Sequence, residues 1–144
     1  MSTLNPYLNF RDNAREAMEF YHSVFGGDLA VSTFSDFSLA QNPADADKVM
    51  HAQLTTPSGF TLMGADVPEG MDYSPGSSIS VSLSGGSEDE AELRGFWDKL
   101  AEGGNPYLPL EAAPWGDYFG QLVDRFGISW LVNIGGAEQP DGEG

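Results

Sequence analysis

Two histidines, no cysteine and a large excess of acids set the chemistry open to this chain of 144 residues. Without cysteine there is no disulfide framework, no thiolate metal site and no cysteine nucleophile. His22 flanks the apolar stripe of a helical segment and reads as a surface or rim residue. His51 falls on the polar side of an alternating strand, two positions before Gln53. Two roles stay open for it: a structural hydrogen-bonding group, or a neutral base or polar anchor for a ligand. Asp66 leaves a strand and reads as a loop cap or as an acid/base group at a cavity rim. No other reactive pattern appears. Gly-x-Ser-x-Gly is absent, and Pro57-Ser58-Gly59 and Gly85-Gly86-Ser87 lack the lysine and glycine spacing of a phosphate cradle. Glu88-Asp89-Glu90 opens a helix, where the dipole favours acids, and is not an acid/base pair.

Twenty-two acids against six bases give a formal charge of −16, and the bases form no run. A phosphate backbone or an anionic membrane surface would be repelled, so nucleic acid and membranes are not expected partners. The acidity itself reads as a solvated surface. No apolar run approaches the roughly 20 residues needed to cross a bilayer. Met1 to Phe10 lacks the basic-then-apolar order of a secretory leader, and a cytoplasmic location is expected.

The elements that must position these groups come in two matched sets. Asn13 with Glu16, and Ser87 with Glu90, have the spacing of capping boxes. Ala14, Ala17, Met18, Tyr21 and Phe25 form the apolar stripe of the first helix; Leu93, Phe96, Trp97 and Leu100 form that of the second. Glycine pairs, 26–27 and 103–104, end them. Gly59 to Met63 is answered by Gly127 to Leu131, so a unit of roughly 70 residues is duplicated. Strands are predicted at 4–10, 29–34, 50–56 and 60–65, then at 77–83, 107–110, 118–123 and 128–134. Residues 41–48 and 67–75 read as loops, the second joining the halves, and 137–144 as an acidic flexible tail. Alternation such as Met50, Ala52 and Leu54 against His51, Gln53 and Thr55 leaves one strand face packed and one polar.

Pro6-Tyr7-Leu8-Asn9-Phe10 followed by Ala14-x-x-Ala17-x-x-Phe20-Tyr21-x-x-Val24-Phe25-Gly26 resembles the opening of the PhnB-like group. Met50-His51-Ala52, Leu62-Met63-Gly64-Ala65-Asp66, Trp115-Gly116, Asp124-Arg125-Phe126-Gly127 and Trp130 extend the likeness to about Ile134. This group lies within the vicinal-oxygen-chelate (glyoxalase/bleomycin-resistance/dioxygenase) superfamily. The resemblance implies an α+β fold in which two βαβββ modules, about 4–66 and 77–134 of a domain spanning 1–136, form an incomplete barrel around a cavity. It also implies a homodimer. Metal-using members hold one ligand on the first and last strand of each module, drawn from His, Glu and sometimes Gln. The four corresponding predicted strands contain no His, Glu, Asp or Gln. Divalent zinc, iron, nickel and manganese need such donors, so no metal and no cofactor is expected.

Three functions stay open. The first is metal-independent binding of a small molecule, against a wall of Tyr7, Met63, Trp115, Tyr118, Phe119 and Trp130 with His51, Gln53, Ser78, Ser80 and Ser82 as polar anchors. The second is an enzyme using His51 or Asp66 as acid/base. The third is an interaction module with a filled barrel.

Overall fold

The computed structural model describes residues 2–37 and 43–136 and divides into two compact units at Pro75–Gly76. The predicted tail at 137–144 and part of the 41–48 loop lie outside the described residues. In the first unit, module 1, the order is β1 (Tyr7–Phe10), α1 (Ala14–Phe25), β2 (Asp28–Thr33), β3 (Val49–Thr55) and β4 (Thr61–Asp66). Module 2 repeats it with β5 (Val81–Gly85), α2 (Glu90–Ala101), β6 (Asn105–Ala112), β7 (Tyr118–Val123) and β8 (Ser129–Ile134). The sheets have the same topology, β1-β4-β3-β2 and β5-β8-β7-β6. In each, the first strand runs parallel to the last and the remaining pairs are antiparallel. The fold is α+β, two four-stranded mixed sheets with one helix each.

Each helix buries the stripe its spacing predicts. Ala14, Ala17, Met18, Tyr21 and Phe25 are buried in α1, joined by Val24 beside the stripe, and Leu93, Phe96, Trp97 and Leu100 are buried in α2. A glycine in each sheet admits its helix. A Cβ on Gly64 would stand 3.1 Å from the Met18 sulfur, and one on Gly120 would stand 2.8 Å from the Trp97 ring. These two glycines mark the helix-packed face of each sheet. Their strand neighbours Met63 and Ala65, and Phe119 and Gln121, therefore point to the other.

The glycines that end the helices are required by close passage of the chain. Gly27 has φ +95°, and a Cβ there would lie 2.1 Å from the Thr55 carbonyl oxygen. Gly104 meets the Val123 carbonyl in the same way, at 2.5 Å. The hairpins match too: Thr56 N–H donates to Phe60 O in module 1, and Asp124 N–H donates to Ile128 O in module 2.

Several boundaries differ from the sequence expectation. Strand 1 begins at Tyr7, leaving Leu4 fully solvated, and β5 begins at Val81, so Ile79 is 82% exposed instead of packed. A run of alternating residues makes a strand only where a neighbour supplies the ladder, and β8 pairs with β5 only from Val81 onward. Strand β6 is longer than predicted, Asn105–Ala112, because β7 pairs along it through two irregularities in register. Neither capping box forms. Asn13 and Asp89 precede the helices without a side-chain cap, and Ser87–Asp89 is a 3-10 turn leading into α2. The amide at the start of α1 instead receives a carboxylate from 52 residues away: Ala14 N–H donates to Asp66 Oδ1 at 2.9 Å.

Candidate functional site

The face of the module 1 sheet away from α1 gathers four of the predicted ligand residues. Register places Tyr7 opposite Met63, Met63 opposite Gln53, and Gln53 opposite Ala30. Asn9 opposite Ala65, and His51 opposite Ser32, form the next row. These rows hold no Asp, Glu, Lys or Arg, in a chain of charge −16. Tyr7 and His51 meet across β4: the hydroxyl is 3.4 Å from Nδ1, and the rings are 5.7 Å apart, tilted by 36°. Asn9 belongs to this face and was missed, since a single asparagine in a short strand gives no signal of its own.

Asp66 is on the other side of that sheet. It ends β4, one residue later than predicted, and is 5% exposed. Oδ1 accepts from Ala14 N–H and Oδ2 from Val49 N–H, both at 2.9 Å. It therefore caps α1 and pins the start of β3, and it does not share a face with His51. His22 is on α1 with Nε2 2.9 Å from the Gly27 carbonyl oxygen, a contact that closes the helix end.

The module 2 candidates divide between the two faces of their sheet. Trp130 is 1% exposed on the helix side, with its indole N–H donating to Asp124 Oδ2 at 2.8 Å. Tyr118 is also on the helix side, 5.0 Å beneath the Arg94 guanidinium of α2. Neither reaches the open face. Ser80 precedes β5 and shares a 2.7 Å hydroxyl contact with Ser129, while Ser78 is exposed outside any strand. Trp115, 60% exposed in the turn after β6, stands edge-on to Phe119 at 5.5 Å. Phe119, Gln121 and Tyr107 belong to this open face, and the last two were missed; the Tyr107 hydroxyl donates to Gln121 Oε1 at 2.7 Å. Only the register of β6 on β7 brings those two together.

A concavity of about 480 Å³ opens at the first turn of α1, lined by Asp12, Glu16, Glu19, Asp47, Lys48 and Asp66 among others. Lys48 Nζ is 2.9 Å from both Asp12 Oδ1 and Asp45 Oδ1. The Lys48 hydrogen bond, then the Glu69 amide, hold the Asp45 carboxyl below its ordinary 3.8. Hydrogen bonds donated to Asp12 and then to Asp45 hold the Lys48 ammonium above its ordinary 10.5. Asp45 thus contributes stability that is complete above about pH 4 and lost as pH falls through its lowered value. Lys48 contributes stability that is complete below its ordinary value and lost as pH rises through its raised one. Lys48→Met is expected to lower the melting temperature at neutral pH and to flatten both limbs of its pH profile, read by circular dichroism melts from acid to alkaline pH. An unchanged acid limb would remove Asp45 from this account.

For the superfamily's metal, the donor set is poor. The strands β1, β4, β5 and β8 carry one side chain of the required type, Asp66, and both its oxygens are taken by backbone amides. Among the described residues no three His, Asp or Glu side chains stand close enough to hold a metal ion. These residues do not fit the four-ligand metal site.

With that geometry in place, comparison with known proteins decides the family. A family profile described as 3-demethylubiquinone-9 3-methyltransferase matches residues 2–133. The chain belongs to this PhnB-like family. A crystal structure of protein PA1353 from Pseudomonas aeruginosa is 38% identical to the PhnB-like chain, with TM-score 0.78, covering 94% of this chain and 99% of that one. A putative 3-demethylubiquinone-9 3-methyltransferase, PhnB protein, from Bacillus cereus is 27% identical with TM-score 0.68, covering 92% and 99%. A glyoxylase/bleomycin resistance protein/dioxygenase domain from Frankia shares the fold at 16% identity and TM-score 0.65, covering 96% and 95%. The fold is therefore that of the glyoxalase/bleomycin-resistance superfamily. Among the described residues no helix is long and apolar enough to cross a membrane.

Proposed function

We propose that this PhnB-like chain binds a small organic molecule without a metal, on the helix-free face of its sheets. One observation carries this reading: Tyr7, His51, Gln53 and Met63 converge in two uncharged, partly aromatic rows of the face that the helix leaves uncovered. Ring, thioether and amide groups together supply stacking area and a few oriented polar contacts, the usual makeup of a ligand wall. In module 2, Ser80, Trp115 and Phe119 offer a similar mixture. The chain also presents Leu4, Ile79, Tyr107 and Leu108 to solvent, surface that pairing with a second copy would cover. A homodimer is part of the proposal, and light scattering after size exclusion tests it.

The test of binding is a thermal-shift screen of planar small molecules on chelator-treated protein, with metal analysis of the untreated protein alongside. A ligand that raises the melting temperature of the wild type, and not of His51→Ala or Gln53→Ala, is the expected outcome. A stoichiometric, chelator-resistant metal would overturn the metal-free reading. The contact with Tyr7 sets a second titratable group beside His51, which favours acid/base chemistry as a second reading. Turnover lost in His51→Ala while binding persists would select it.

A further inference from the structure

The two histidines can be compared atom by atom. His22 Nε2 faces a carbonyl oxygen, which only accepts, so that nitrogen carries a proton. His51 Nδ1 faces a phenol, and either partner could donate. Phenolic O–H is the better donor and the bare imidazole nitrogen the better acceptor, so the favoured arrangement is O–H···Nδ1. In the neutral ring the proton then belongs to Nε2, the nitrogen farther from the backbone. Among the described residues Tyr7 is the imidazole's hydrogen-bond partner. Nε2–H is thus available to an occupant of the face. The strand order permits the contact: β4 lies between β1 and β3, and its residue beside His51 and Asn9 is the small Ala65.

We propose that Tyr7 is a positioning residue that holds His51 as the Nε2–H tautomer, so that the module 1 face donates a hydrogen bond to an uncharged carbonyl or amide oxygen of a planar ligand. The ligand half of this rests on the face being the binding site. Its charge class follows from the two rows around His51, which contain no group of either sign. A carboxylate or an ammonium ion set down there would lose water and gain no counter-ion. An anion would in addition be repelled by the net charge of −16. The Asn9 and Gln53 amides can donate to and accept from the rest of an amide-like ligand, and the Tyr7 ring offers a stacking surface.

Long-range proton–nitrogen spectra of ¹⁵N-labelled protein, at a pH where imidazole is neutral, report the tautomer directly, with His22→Gln assigning the two rings. The wild type is expected to show Nε2–H at His51, and Tyr7→Phe a mixture of tautomers at an unchanged melting temperature. A protonated Nδ1 in the wild type, or a Tyr7→Phe spectrum identical to it, overturns the positioning role. Titration with benzamide, benzoate and benzamidinium, three probes of one shape and different charge, reads the ligand class. Benzamide is expected to shift His51 most and to bind Tyr7→Phe roughly fivefold more weakly, the effect of one neutral hydrogen bond. Preference for either charged probe overturns the ligand class. An Nε2–H tautomer with no response to benzamide overturns the binding face and leaves the role of Tyr7 intact.

Discussion

Asp124→Ala is expected to be the most damaging single substitution outside the apolar core. The carboxylate is 3% exposed, and it serves three donors. Oδ1 accepts from the Phe126 and Ile128 amides at 2.8 and 3.1 Å, and Oδ2 from the Trp130 indole at 2.8 Å. It closes the β7–β8 hairpin and also orients the largest fully buried side chain. Withdrawing an acceptor from a buried donor costs about 1–3 kcal/mol, so a loss of about 3–4 kcal/mol over the three is expected. For a chain of this size that lowers the melting temperature by about 10 °C. Asp124→Asn keeps one acceptor oxygen and turns an NH2 toward the remaining donor, so it should recover less than half of the loss. The check is a pair of thermal melts with the Trp130 indole N–H resonance followed by NMR. A shift of less than about 2 °C in Asp124→Ala would show that water replaces the carboxylate at no cost.

Asp66→Ala should come close behind, at about 3 kcal/mol, because two buried amides lose their acceptor and α1 loses the negative charge at its start. Its effect is less local. Asp66 joins the Ala14 and Val49 amides, so helix, strand β3 and strand β4 are expected to loosen together. Hydrogen exchange should therefore accelerate at Ala14 and Val49 ahead of the β1–β4 ladder. Asp66→Asn, which retains one acceptor, decides between the two roles open to this residue. Partial loss of stability with ligand binding retained marks a structural cap. Full stability with loss of a ligand-dependent property would mark an acid/base group instead.

Both carboxylates show where a linear reading stops. Asp124 was visible as part of a motif, but its work depends on a hairpin that returns Trp130 beneath it. Asp66 was visible at a strand end, but the capping role went to Asn13 because local spacing favours a residue adjacent to the helix. A carboxylate brought from another strand of the sheet can take the same amide, and no window of neighbouring residues contains it. Tyr118 and Trp130 illustrate the same limit in a strand. Their aromatic character suggested a ligand wall, whereas the parity set by Gly120 under Trp97 turns both toward α2. Strand parity becomes certain only when one residue of the strand is tied to a face.

Residue order alone determined the duplication, the two amphipathic helices with their apolar stripes, the strands, and the poverty of metal donors on the first and last strands of each module. These are properties of period, composition and local chain stiffness, and they survive any error in register. Tertiary structure decided which carboxylate caps α1, where β1 and β5 begin, and which aromatics face away from the helices. It also brought Tyr7 and His51, 44 residues apart, into contact across β4. Each of these depends on pairing between distant segments, where a slip of one residue moves a side chain to the opposite face.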